Sequence, residues 1–244
     1  MSKLLITGGC SFSECVSPTQ HTWPIQLEKR IGSDYKAIHT GRPSQGNGLI
    51  SREVLYQCIE ALKITNPDDI LVGVMWSGPS RHDFYHQDNI PTPVFEMKEP
   101  WMKHPTKFVK GSPGGWVMLH HDWISQYART YYKYFSEKYG GYIYTLEHIL
   151  RLQWFLERNK INYFMTTYSS EVFPDNVKTH PELSYLYNQI DMNKFLPING
   201  EYDWCLENMP NDFPVPNDNH PGLLQHTAFT EQVIIPFLKE NQYI

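Results

Sequence analysis

Two short stretches near opposite ends of the chain hold residue types that can do chemistry together. Ser11 stands in Gly8-Gly9-Cys10-Ser11-Phe12, and Asp218 and His220 stand in Asn217-Asp218-Asn219-His220-Pro221-Gly222. A serine hydroxyl is a weak nucleophile until a base takes its proton. A histidine suits that task because its ordinary pKa lies near neutrality. A carboxylate can then orient the imidazole and stabilise its charged form. Hydrogen-bond donors must also face the oxygen where negative charge develops. The chemistry such a set supports is acyl transfer. Taken singly, each residue has a plainer role: Ser11 as a turn cap, His220 as a loop histidine, Asp218 as the cap of a final helix.

Those residues need a frame. The apolar run Lys3 to Gly8 reads as a buried strand, and the two glycines after it permit a sharp turn or a close approach. Ser11 would then stand at the carboxyl end of that strand, where open α/β sheets place their sites. Residues 22–32 read as a helix, with Pro24 near its start and Gly32 past its end. Residues 35–40 read as a strand, and 47–64 show helical apolar spacing. Asp69 to Trp76 is apolar nearly throughout and reads as a central strand. Residues 121–138 and 142–159 read as helices, 161–167 as a strand, 181–193 as a short helix and 222–240 as the last helix. Residues 194–219 read as mostly loop, and 78–120 as a long irregular stretch that shapes a pocket. The alternation argues one α/β domain over residues 1–244, with helices on both faces of a parallel sheet.

Composition removes other function classes. The 244 residues carry a formal net charge of −5 with no long basic block, so a nucleic-acid footprint is not expected. No apolar run reaches the ~18 residues of a membrane span, and no signal-type segment opens the sequence. A cytoplasmic protein is expected, and a homo-oligomer is left open. Four cysteines, Cys10, Cys15, Cys58 and Cys205, do not form a disulfide framework or a zinc pattern. His82 and His86 flank Asp83, and His120-His121-Asp122 is a second histidine group; neither has a metal-ligand signature. No phosphate-cradling glycine pattern occurs, so no cofactor is expected.

The order of the blocks resembles the SGNH (GDSL-type) hydrolase family. Gly9-Cys10-Ser11-Phe12 looks like its first block, with Cys10 where Asp is usual, and Trp23-Pro24 also fits. Asn217 to Pro221 looks like its last block, with Asn217 at the usual Asp position and Asp218 one residue later; His226 fits a continuation seen in some relatives. The resemblance implies a flavodoxin-like three-layer α/β/α fold and a serine esterase that cleaves a small O-acyl ester. O-acetyl on a carbohydrate would be one such substrate, and no metal or organic cofactor is implied. Ser11 is the implied nucleophile, His220 the base, and Asp218 (or Asn217) the group that holds His220. Middle-block donors fall at Ser44 and Ser77, with Asn47 and Arg81 as further donors for the oxyanion or substrate. Two other outcomes keep the same fold: an O-acyltransferase, or a non-catalytic carbohydrate- or ligand-binding protein.

Overall fold

A computed structural model of the protein describes residues 3–15, 21–86, 115–119, 126–213 and 219–244. Its main sheet holds β1 (Lys3–Gly8), β2 (Tyr35–His39), β3 (Ile70–Trp76) and β6 (Asn162–Thr167) in the order β2-β1-β3-β6. All three pairings are parallel. A parallel bridge from Met165 to Phe195 marks the place of a further strand beyond β6.

Side chains along each strand alternate between two cores. Leu4, Ile6, Val72, Val74 and Trp76 face one side, under α2 (Asn47–Ala61) and α4 (Lys138–Arg158). Leu5, Leu71, Met75 and Phe164 face the other, under α1 (Trp23–Ile31), α7 (Glu201–Asn208), α8 (Leu223–Phe229) and α9 (Ile235–Glu240). Strand β3 is buried along its whole length, which is why its sequence is apolar without alternation. Gly73 is required there by space. A Cβ on it would lie 2.6 Å from the Phe164 ring and 3.1 Å from the Trp23 ring.

Most elements fall where the sequence places them, with ends shifted by a few residues. Two stretches hold more regular structure than expected. Within 78–120, β4 (His82–His86) and β5 (Gly115–Leu119) form an antiparallel pair; residues 87–114 lie outside the described residues. The surrounding proline and glycine content masks these short strands. Within 194–219, where mostly loop is expected, α7 also forms. Gly200, at φ 132°, turns the chain into it, and Glu201 and Asp203 in its first turn suit the positive helix end. The remaining described helices are α3 (Gln126–Tyr134), α5 (Asp175–Thr179) and α6 (Pro181–Tyr187).

Candidate active site

The turn after β1 is built by close approach. A Cβ on Gly9 would meet the Ser13 Oγ at 2.2 Å, and one on Gly41 would meet the Ser13 carbonyl oxygen at 2.1 Å. Residues 11–13 therefore fold as a tight 3₁₀ turn, with the Ser13 N–H donating to the Cys10 carbonyl. Ser13 is buried and accepts a 2.8 Å bond from Trp23 Nε1. That bond ties the turn to α1. Ser11 is left half-buried at the carboxyl end of the sheet.

His220 arrives from the other end of the chain, 209 residues on, and its Nε2 lies 2.8 Å from Ser11 Oγ. The imidazole is exposed, but its ring packs on Phe12 with centroids 5.1 Å apart. Phe12 is buried and meets Tyr168 edge to face at 5.6 Å. Tyr168 is fixed in turn: its N–H donates to the Trp76 carbonyl, and its hydroxyl donates to Glu171 Oε2. Sequence reasoning gives no role to Phe12 or Tyr168. The one signal available was position, since Phe12 follows the serine and Tyr168 follows the end of β6.

Asp218 and its alternative Asn217 lie outside the described residues, as do His120, His121 and Asp122. Among the described residues no group of His, Cys, Asp and Glu is arranged to hold a metal ion. No helix of the described residues is long and apolar enough to cross a membrane.

The middle-block residues divide. Asn47 is buried, and its amide is fully engaged inside the protein. Nδ2 donates to the Ser77 carbonyl at 2.8 Å and to Thr145 Oγ1 at 3.0 Å, while Oδ1 accepts from the Ser77 N–H at 2.7 Å. Asn47 thus latches the start of α2 to the end of β3 and offers no donor to a substrate. The Ser77 N–H is consumed by the same latch. Its hydroxyl is buried with no partner among the described residues. Arg81 reaches the Gln45 carbonyl at 3.5 Å.

Ser44 sits at φ 64°, in the left-handed region that non-glycine residues seldom occupy. Its loop is held from behind by buried polar bonds. The Arg42 N–H donates to Gln45 Oε1, and Gln45 Nε2 donates to Glu53 Oε2, both at 3.0 Å. Burial raises the Glu53 carboxyl to about 7, against the nearby Arg42 and the Gln45 bond. Asp83, from β4, caps α2 across the sequence: its two oxygens accept from the N–H groups of Gly46 and Leu49, each at 3.1 Å. Burial raises its carboxyl to about 6 in spite of those bonds. His226 belongs to a separate buried pair, with Nδ1 2.6 Å from Glu201 Oε1. Burial raises the Glu201 carboxyl, and His226 opposes the rise.

No family model and no curated protein matches this chain. Solved structures do. The Bacillus subtilis protein YXIM matches with TM-score 0.51 at 10% identity, over 99% of this chain and 57% of that one. This chain therefore spans little more than half of that protein's length. TesA matches with TM-score 0.52 at 11% identity, over 98% of this chain and 99% of that one. Axe2, an acetylxylan esterase from Geobacillus stearothermophilus solved as a catalytic mutant, matches with TM-score 0.45 at 11% identity, over 98% and 93%. The fold shared with TesA is a three-layer α/β/α arrangement around a parallel sheet. At these identities the likeness is one of fold.

Proposed function

We propose that the protein is a serine esterase that cleaves a small O-acyl ester through an acyl-serine intermediate. One observation carries the reading: the Ser11 hydroxyl and the His220 imidazole, from opposite ends of the chain, meet at hydrogen-bond distance on the carboxyl edge of the sheet. In the proposed reaction His220 Nε2 takes the Ser11 proton as Oγ bonds to the ester carbonyl carbon. The tetrahedral oxyanion then collapses, the C–O bond to the alcohol breaks, and His220 returns the proton to the leaving oxygen. Water adds to the acyl-enzyme by the same route, which releases the acid and restores Ser11. Asp218, or Asn217, is the proposed holder of His220.

For the oxyanion, the Ser11 and Ser44 N–H groups are the proposed donors, together with the Ser77 hydroxyl. The left-handed backbone at Ser44 supports its part, since such strain collects at functional sites. The buried Ser77 hydroxyl, without a partner among the described residues, supports its part, since a buried polar group left unpaired costs about 1–3 kcal/mol and calls for an explanation. Arg81 is the proposed cationic contact to substrate.

A fluorophosphonate probe, followed by mass spectrometry, tests this. An adduct on Ser11 that is lost in His220→Ala is the expected result. No adduct on the folded protein would rule out an activated serine.

A further inference from the structure

Two titratable side chains that the catalytic scheme leaves unused stand in the core behind His220. Glu201, the first residue of α7, is fully buried, and His226, in α8, is 3% exposed. His226 Nδ1 and Glu201 Oε1 lie 2.6 Å apart. The other carboxyl oxygen, Glu201 Oε2, is buried with no partner among the described residues. Cys205, one turn on from Glu201, and Phe229, on α8, belong to the apolar core.

Such a pair is poor at stabilising a fold. Desolvation takes back most of what the attraction gives, and apolar residues of similar volume often serve as well or better. A buried oxygen left unpaired adds to the cost. What a hydrogen bond supplies, and apolar packing does not, is direction. Here it fixes one register of α7 against α8.

Both ends of that bond lead to His220. From His226 the path runs back one helical turn. Its N–H donates to the Gly222 carbonyl at 3.0 Å, and the Gly222 N–H donates to Gln225 Oε1 at 3.1 Å. Gln225 Nε2 donates in turn to the Asp212 carbonyl at 2.7 Å. Pro221, which is buried, joins Gly222 to His220. From Glu201 the path runs to the wall behind the imidazole. A Cβ on Gly200 would lie 2.5 Å from Ser169 Cα, and the Tyr202 N–H donates to the Tyr168 carbonyl at 2.8 Å. The start of α7 is thus seated on Tyr168. The Tyr168 ring backs Phe12, and Phe12 packs against the His220 ring. These contacts close a circuit through His220, Phe12, Tyr168, Glu201, His226 and Gly222, and the Glu201–His226 bond joins its two halves.

We propose that Glu201 and His226 are positioning residues for His220: their bond sets where α8 begins and so holds the imidazole between Phe12 and the Ser11 hydroxyl. The consequence for catalysis rests on the serine-esterase reading, whereas the placing of the ring does not.

The test reads the His220 ring itself. In nitrogen NMR of the histidine rings of the full chain, the His220 signal is assigned by its loss in His220→Gln. Its Nε2 shift should move when Ser11→Ala removes the hydroxyl. The double variant Glu201→Met, His226→Leu replaces the pair by apolar side chains, a change that buried ion pairs often tolerate without loss of stability. In this variant, once shown to be folded, the Nε2 shift should move toward its value in Ser11→Ala. Fluorophosphonate labelling and kcat for p-nitrophenyl acetate should fall about 10–100-fold with KM little changed, as expected for a misplaced catalytic group. Glu201→Gln keeps a hydrogen bond to His226 and should retain more of the shift and of the rate than the double variant. If the double variant does not fold, Glu201→Leu is read in the same way. A wild-type shift and labelling rate in a folded variant that lacks the pair would overturn the proposal, as would a wild-type shift indifferent to Ser11→Ala. The two readings fail separately. If the wild-type protein neither labels nor turns over ester, the esterase reading falls and the Nε2 shift still decides the positioning. Labelling of Ser11 that ignores the pair does the reverse.

Discussion

On one side of the proposed site, Ser11 and His220 are set by packing. Phe12 fills the space under the imidazole, Tyr168 backs Phe12, and the glycines at 9 and 41 let two backbones touch. On the other side, residues 41–47 and Ser77 are set by buried polar bonds that run from Glu53 and Asp83 outward. The polar side carries two carboxyls raised by burial, Glu53 at about 7 and Asp83 at about 6. The loops that face the nucleophile are thus tied to titrating groups, whereas Ser11 and His220 are held by ring contacts and close backbone approach. Mutations on the two sides should fail in different ways.

The largest effect expected is chemical. Ser11→Ala should lower ester cleavage by about 10³-fold or more with stability nearly unchanged, since the serine and its base act as a unit. Matching turnover in Ser11→Ala and wild type would move the chemistry elsewhere. Next is Phe12→Ala, which empties a buried aromatic position and should cost about 3–5 kcal/mol in urea denaturation, with slower probe labelling. Phe12→Leu should recover most of the stability and less of the labelling, because the ring face against His220 is gone. If both variants label at the wild-type rate, packing does not set the histidine.

Asn47→Ala should cost about 2–3 kcal/mol, because the buried Ser77 N–H and carbonyl both lose their partner. It leaves Ser11 and His220 in place, so labelling of Ser11 should persist in the folded fraction while turnover falls. Gly73→Ala should cost about 1–3 kcal/mol by pressing a methyl into the Phe164 ring. An unchanged melting temperature would mean that β3 and the aromatic layer yield more than the close contact suggests.

The smallest effect is in pH dependence. Glu53 and Asp83 both titrate higher in the folded protein than in the unfolded chain. The native state then holds more protons between about pH 4 and about 7, so stability should fall as the pH rises through that window. Glu53→Gln, which mimics the protonated carboxyl, should flatten the slope near its upper end. A slope unchanged in Glu53→Gln would remove Glu53 as a source of the pH dependence.

Much of this frame was legible in the residues. Strands β1, β3 and β6 show as apolar runs because both faces of a parallel sheet are covered. The Gly-Gly pair allowed a sharp turn or a close approach, but did not show which, nor that the neighbour is Ser13. Ser11 and His220 were visible as types in order. That Asn47 is a latch was not visible, because an asparagine that donates inward and one that donates to a ligand read alike. Strands β4 and β5 were hidden by their flanks, and α7 by the prolines on either side of it.

The sequence by itself determined the period and order of the elements, and with them a parallel sheet whose first strand delivers a serine to its carboxyl edge. Those are local matters of apolar spacing and backbone freedom. Only the tertiary structure decided which polar groups are spent on one another. Asp83 reaches α2 across 34 residues and Asn47 reaches Thr145 across 98. Ser11 and His220 meet across 209. Hydrogen bonds and close contacts of that span depend on how the layers pack, and no neighbouring residue encodes them.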